Sequence, residues 1–352
     1  MPATLNLFDT MTMLKAVEQM KPIPKFLGDM FCADDGVSDD DHLFYDYRKG
    51  DQTGLAPFVA PGMGGVTIGR EGFEMRQVAF SRLAPQRIVT MRDISVRQFG
   101  ENVIGGLTPA ERSKRKVAED LKVLRTVNQN RRNWMAREVL IKGKLEITRY
   151  TQEGREKAAS MFADFGFENF YVPATKWDQS GARFEYDFEK FTEAILEEGG
   201  DVDLIVLGPG VFDTMLENEF YLKSLDLRAA DLGELQTRYA GQGIYVRGVT
   251  RNGTKMVTDV AKFRNDDGEM EYEIPYGHIL LGSTVNKPLK IKHGPITKVK
   301  GEDDNARHET YVKKEVPFRI GDSDNDTITN RLVSCPTIIP ENVGAWGVMK
   351  VL

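Results

Sequence analysis

Cysteine is almost missing from this sequence: Cys32 and Cys335 are the only two in 352 residues. They stand far apart, with no neighbouring Cys or His at ligand spacing. That excludes a disulfide framework or a thiolate metal site and leaves two reduced, buried or incidental thiols. Histidine is nearly as scarce. His42, His278, His293 and His308 share no metal-binding spacing, and none lies within a serine or cysteine nucleophile signature. No catalytic set, metal site or cofactor is therefore expected. Long apolar runs are also lacking: nothing approaches the roughly 18 residues of a membrane span. Asp9 and Lys15 interrupt the stretch where a secretory signal would be apolar. There is no repeat period and no low-complexity tract. These absences set the expectation of a protein made and kept in the cytoplasm, with no membrane among its partners.

What is present is ordinary in bulk, with 41% hydrophobic and 28% charged residues and enough length for two compact domains. A net charge of −6 argues against a dedicated nucleic-acid binder. One segment departs from that average. From Thr108 to Gly143 the chain reads TPAERSKRKVAEDLKVLRTVNQNRRNWMAREVLIKG, with ten Lys or Arg against four Asp or Glu, a local charge of +6 that leaves −12 for the remainder. Thr108, Pro109 and Glu111 form a capping box with proline at the first helical position, and Gly143 supplies a stop. The spacing thus predicts a helix over 108–142, about 50 Å long at 1.5 Å per residue. Val117, Leu121, Leu124, Val127, Trp134, Met135 and Val139 leave one narrow apolar stripe, which lapses at Asn128 and Arg131. Three readings of its charge stay open: a solvated face, a coiled coil without a strict heptad, or a nucleic-acid surface lacking base-stacking aromatics apart from Trp134. The run Lys287, Lys290, Lys292, Lys298 and Lys300 is a second place that could touch a polyanion.

Residues 1–30 predict a short helix near Met11–Met20, then an extended piece through Pro22 and Pro24: an arm that docks on something else. From Leu43 the pattern alternates, and GLAPFVAPGMGGVTIGREGFEMRQVAF reads as a long hairpin too poor in large apolar residues to have a core of its own. KLEITRY, Lys144–Tyr150, reads as a strand. Beyond Trp177 an αβα stretch is expected, with Asp187 capping a helix that turns Phe188, Phe191, Ala194 and Ile195 inward. A buried strand at Asp203–Leu207 follows, then a helix from about Val211. Further strands are expected at Gly243–Val249, Thr254–Lys262 and Tyr272–Leu281. TITNRLVSCPTIIP and GAWGVMKVL give two closing strands, the last flush with Leu352 and leaving no tail.

Two motifs offer chemistry and fall short. LGPGVF at Leu207–Phe212 sits where a phosphate loop would, without the third glycine or a Walker lysine. DSDND at Asp322–Asp326 begins a calcium-loop pattern but has Thr327 at position six and Val333 at position twelve.

The order of the parts carries a resemblance. APFVAPGMGGVTIGREGF, EVLIKGKLEITRY, WDQSGARFEYDFEKFTEAILEEGGDVDLIVLGPGVF and HILLGSTVNKPLKIKHGPI together resemble the lambda-like major capsid protein E family of tailed bacteriophages. The resemblance implies an α+β chain with the Hong Kong 97-type capsid fold. Its parts would be an N-terminal arm (1–42), an extended hairpin loop (43–90), a peripheral domain (91–170 and 319–352) containing the spine helix, and an axial α/β domain (171–318). It implies a non-enzymatic shell subunit that forms hexamers and pentamers around double-stranded DNA, held non-specifically, with portal, scaffold and decoration proteins as further partners. Assembly would take place in the host cytoplasm and the protein would reside in the virion. Arg70, Glu71, Phe73, Arg76, Arg131 and Arg132 are the candidate contacts between subunits, the last two facing a partner or the genome. Lys49 is followed by no lysine until Lys114, so beyond Lys49 the hairpin has none to offer for a covalent cross-link. The alternatives are an encapsulin-like nanocompartment shell and, from another class, a nucleotide-binding α/β enzyme.

Overall fold

The computed structural model describes residues 10–20, 24–47, 74–96, 107–150, 157–217, 239, 241–250, 252–300, 307–322 and 324–352. The first described elements are α1 (Thr10–Gln19) and α2 (Phe26–Phe31), the second lying just past the extended piece expected through Pro22 and Pro24. Four strands, β1 (Cys32–Val37), β2 (His42–Tyr47), β3 (Glu74–Ala79) and β4 (Gln86–Thr90), lead through α3 (Met91–Ser95) into the spine, α4 (Pro109–Lys142). The expected caps are in place. Thr108 Oγ1 accepts from Glu111 N–H, and Glu111 Oε2 accepts from Thr108 N–H at 2.8 Å. At the far end Gly143 takes φ +66° and donates to the Val139 carbonyl. A Cβ there would stand 2.1 Å from Phe167 Cβ, so both the backbone and its neighbour require glycine.

The arm does not wait for another molecule. Met13 and Val17 of α1 bury against Val117, Leu121 and Leu124 of the spine and against Leu332. Phe26, Leu27 and Phe31 of α2 join Met135, Val139 and Leu140 in the largest core. An amphipathic helix next to an apolar stripe in its own chain has the nearest partner available. That is the physical reason for the difference from expectation.

Past the spine come β5 (Lys144–Tyr150), with the expected bounds, β6 (Lys157–Asp164), β7 (Phe170–Tyr171), α5 (Phe184–Glu197), β8 (Leu204–Leu207) and α6 (Val211–Leu216). Asp187 is not the cap of α5, which starts three residues earlier. Its buried carboxylate instead accepts from Trp177 Nε1–H at 2.9 Å and Tyr171 Oη–H at 3.2 Å, because an enclosed indole N–H needs an acceptor. Phe188, Phe191 and Ile195 do face inward, while Ala194 is exposed. Then follow β9 (Ile244–Val249), β10 (Lys255–Asp259), β11 (Lys262–Arg264), β12 (Met270–Tyr272), β13 (His278–Gly282), β14 (Leu289–His293), β15 (Ile296–Lys300), β16 (Arg307–Tyr311), β17 (Val316–Asp322), β18 (Thr327–Val333), β19 (Pro336–Pro340) and β20 (Trp346–Lys350). The closing stretch thus holds three strands where two were expected, Ser334 and Cys335 dividing the first.

The widest sheet has the order β7-β20-β13-β8-β10-β9, so a strand from residues 346–350 lies inside the sheet that houses the αβα stretch. This interleaves part of the expected peripheral segment with the expected axial one. Similarly β4, grouped above with the hairpin, pairs with β18 in the sheet β17-β18-β4. Smaller units complete the list: a sheet β1-β14-β19 and the two-stranded ribbons β2-β3, β5-β6, β11-β12 and β15-β16. Trp346 is fully buried at the crossing of spine and wide sheet, donating from Nε1 to the Leu140 carbonyl at 2.9 Å and stacking on Phe167 at 4.8 Å.

Candidate functional site

The spine determines what this molecule can do, because six of its polar residues are buried. Asp120, Asn128, Gln129, Asn133, Arg137 and Glu138 are all buried, and from Met135 to Ile141 every residue is. The expectation that its polar faces meet solvent or other chains holds for the N-terminal half, where Lys114 and Lys122 are exposed. It fails from Met135 to Ile141, where sheets and α2 enclose the helix.

Three polar clusters tie the spine down. In the first, Asp120 accepts from Asn330 Nδ2 at 3.0 Å and pairs with Arg87 at 3.1 Å. In the second, Glu315 carries two guanidiniums, Arg125 Nε at 3.1 Å and Arg132 NH2 at 3.2 Å. Arg125 NH1 also donates to the Val17 and Met20 carbonyls, holding the end of α1. Arg132 NH1 lies 3.4 Å from His293 Nε2. Since Arg can only donate, that nitrogen is the acceptor and the imidazole proton sits on Nδ1. Burial, and then the Arg132 charge, push His293 down to about 4. Burial likewise lowers Arg132, against the support of Glu315. In the third, Arg137 donates to the Glu273 carbonyl at 3.1 Å, pairs with Glu138 and lies 3.7 Å from Glu271.

Of the residues expected as contacts between subunits, Arg70, Glu71 and Phe73 lie outside the described residues, and Arg76 is placed on β3 opposite Tyr45. Arg131 pairs with Asp266 of its own chain and covers the Trp134 ring at 4.7 Å. Arg132 does not face outward as expected; it is turned into the Glu315 cluster. The lapse in the stripe is a buried Asn128, donating to the Leu332 carbonyl, and an Arg131 held at the surface by Asp266. The residues missed from sequence, Asp120 and Asn128, had one available signal: they fall three or four positions from Val117, Leu121 and Leu124, in phase with the apolar stripe. Three lysines of the run are also committed, with Lys287 bonding the Asp29 and Cys32 carbonyls, Lys290 pairing with Glu341 and Lys292 with Asp35.

A cavity of about 370 Å³ opens beside the spine, bordered by Lys25, Asp29, Cys32, Arg132, Lys287 and His293. Its only thiol, Cys32, is pushed up to about 12 by burial, which leaves it protonated and inert, and burial likewise pushes Cys335 up to about 11. In the Gly-Pro-Gly turn, Gly210 has φ +83° and a Cβ there would meet the Tyr276 ring at 2.5 Å, so packing accounts for the glycine. In the acidic loop Asp322 is occupied by Asp324 N–H, Asn325 N–H and Asn325 Nδ2. No cluster of three metal-ligating side chains occurs among the described residues.

Against known proteins, residues 9–318 match the sequence model described as phage major capsid protein E. No curated protein sequence matches significantly. A crystal structure of the putative capsid protein of a prophage from E. coli CFT073 superposes with a TM-score of 0.70 at 16% identity, covering 98% of this chain and 99% of that one. A phage-related protein from Bordetella bronchiseptica RB50 follows with a TM-score of 0.50 at 11% identity, covering 96% and 95%. Likeness at such identities speaks to the fold, the Hong Kong 97-type capsid fold. With the match extending over residues 9–318 of 352, the chain belongs to the phage major capsid protein E family, whose members are structural shell subunits and not enzymes.

Proposed function

We propose that this subunit builds the hexamers and pentamers of an icosahedral phage head around double-stranded DNA, with portal, scaffold and decoration proteins as its other partners. The observation that carries the reading is the set of two-stranded ribbons. Ribbons of this kind are marginal alone in water. Yet β5-β6 exposes Phe162 at 60% and β15-β16 exposes Val299 at 51%. Neighbouring copies would cover such surfaces, and many modest contacts closed into a shell add without new chemistry. The exposed cations of the spine's first half, Lys114 and Lys122, supply a sequence-independent attraction for packaged DNA. Residence in the virion and assembly in the host cytoplasm follow from the same reading. Negative-stain microscopy of the purified protein tests it. Shells, sheets, tubes or isolated capsomers are expected, whereas a monodisperse monomer at high concentration, even with scaffold supplied, would overturn it.

A further inference from the structure

Asp259 ends β10 with no exposed surface, and Glu273, one residue past β12, is 7% exposed. A single residue fixes both. Ala261 N–H donates to Asp259 Oδ1 at 2.8 Å, while the Ala261 carbonyl accepts from Glu273 N–H at 2.9 Å. For Asp259 the supply of donors stops there: among the described residues its buried Oδ2 has no hydrogen-bond partner.

The groups facing the pair come from three directions. From the spine, Asn133 hydrogen-bonds the Glu273 carboxylate, and Arg137 adds positive charge there while its own donors go to the Glu273 carbonyl and the carboxylates of Glu138 and Glu271. Ahead of α2, Lys25 adds a further positive field at Glu273. On β9, Arg247 is turned away, donating to Thr258 Oγ1 at 3.0 Å and covering the Phe212 ring. No cation pairs with Asp259 among the described residues. Apart from the Ala261 N–H at Asp259 Oδ1, the support for a negative charge thus falls on Glu273.

We propose that Asp259 and Glu273 bind one proton between them at neutral pH, making the junction of the spine with the β10–β12 turns a proton-binding site. Two buried carboxylates set together cannot both ionise cheaply. The proton rests on Asp259, where it turns the orphaned oxygen into a donor, and the charge rests on Glu273. Burial first, then the Glu273 charge, hold the Asp259 carboxyl well above the ordinary range. Burial raises Glu273 too, opposed by Asn133, Lys25 and Arg137.

The sign follows from linkage. Unfolded carboxyls titrate near about 4, so above that pH the folded chain holds a proton that the unfolded chain has released. The pair's contribution is complete at acid pH and shrinks as pH rises towards the folded pKa, the folded-to-unfolded ratio falling about tenfold per pH unit in that window. His293 acts in the opposite sense, so the test reads differences between variants at matched pH.

Thermal melts of the full chain, Asp259→Asn and Glu273→Gln between about pH 5 and about pH 9 decide it, spanning the range above ordinary carboxyl titration. Asp259→Asn removes the carboxyl that holds the proton, so its melting temperature should fall less with rising pH than that of the parent chain; Glu273→Gln leaves Asp259 buried and should do so only by the smaller part that the Glu273 charge contributes. Parallel curves would overturn the proposal. So would a calcium- or magnesium-induced rise in the parent's melting temperature that Asp259→Asn abolishes, since the pair would then be holding a cation. If neither variant folds, the infrared spectrum of the parent decides. A protonated-carboxyl stretch at neutral pH that vanishes on alkalinisation supports the shared proton, and its absence refutes it.

Discussion

Replacing Glu315 with Gln keeps the shape of the side chain and removes one charge from the centre of the second spine cluster. The carboxylate is 6% exposed and holds Arg125 and Arg132, themselves 17% and 19% exposed, with no other carboxylate paired to either among the described residues. Breaking a buried pair from one side costs about 3–5 kcal/mol because the remaining charge is left without compensation. Here two guanidiniums are left, but each retains some solvent, which places the expectation near the low end, about 3 kcal/mol. Against a total stability of roughly 5–15 kcal/mol this is a large fraction, and it changes the folded-to-unfolded ratio by more than a hundredfold. The loss should also be local. Arg125 holds the Val17 and Met20 carbonyls, so α1 should exchange its amide hydrogens faster in Glu315→Gln while the β8 and β13 amides keep their protection. Urea is the denaturant to use, since guanidinium chloride would screen the interaction being measured. A loss below about 0.5 kcal/mol, with α1 unchanged, would mean that the cluster behaves as a screened surface pair.

Arg131→Glu should leave the melting temperature nearly unaltered, because its exposed pair with Asp266 is worth under about 1 kcal/mol. Arg132→Glu should lower it by several degrees, since it places a carboxylate beside Glu315; equal effects of the two would refute the inward placement of Arg132. The second of these shorter tests concerns acid. His293 is neutral when folded down to about 4 against an ordinary 6.5, so its contribution is full above pH 6.5 and is lost as pH falls through about 4. By linkage that is about 3 kcal/mol. His293→Gln should remove this part of the acid sensitivity, and an unchanged acid limb of the stability curve would count against it.

Local signals were legible wherever a few neighbouring residues decide the outcome. The capping box at Thr108, the stop at Gly143, the bounds of β5 and the buried Leu204–Leu207 strand all depend on short-range geometry. Burial of polar residues was not legible, because it depends on pairings across the chain. Asp120 finds Asn330, Arg132 finds Glu315 and Trp346 finds Leu140, each separated by more than 180 residues. A helix whose charges are neutralised that far away looks, in sequence, like a helix facing water. The arm misled for a related reason: nothing near Met13 or Val17 announces that Val117 and Leu121 will cover them.

The position of β20 between β7 and β13 has a consequence for synthesis. While the ribosome is still translating, residues 204–282 have emerged but the strand at 346–350 has not, so β13 presents a bare edge formed by Ile279, Leu280 and Leu281. The wide sheet cannot close until translation has passed residue 350, so a nascent chain displays an unpaired, strongly apolar ribbon for the time it takes to add some seventy residues. Any truncation upstream of Trp346 would make that exposure permanent. Such a fragment should aggregate through this edge instead of joining a shell, which gives the cell a crude length check on every subunit it makes.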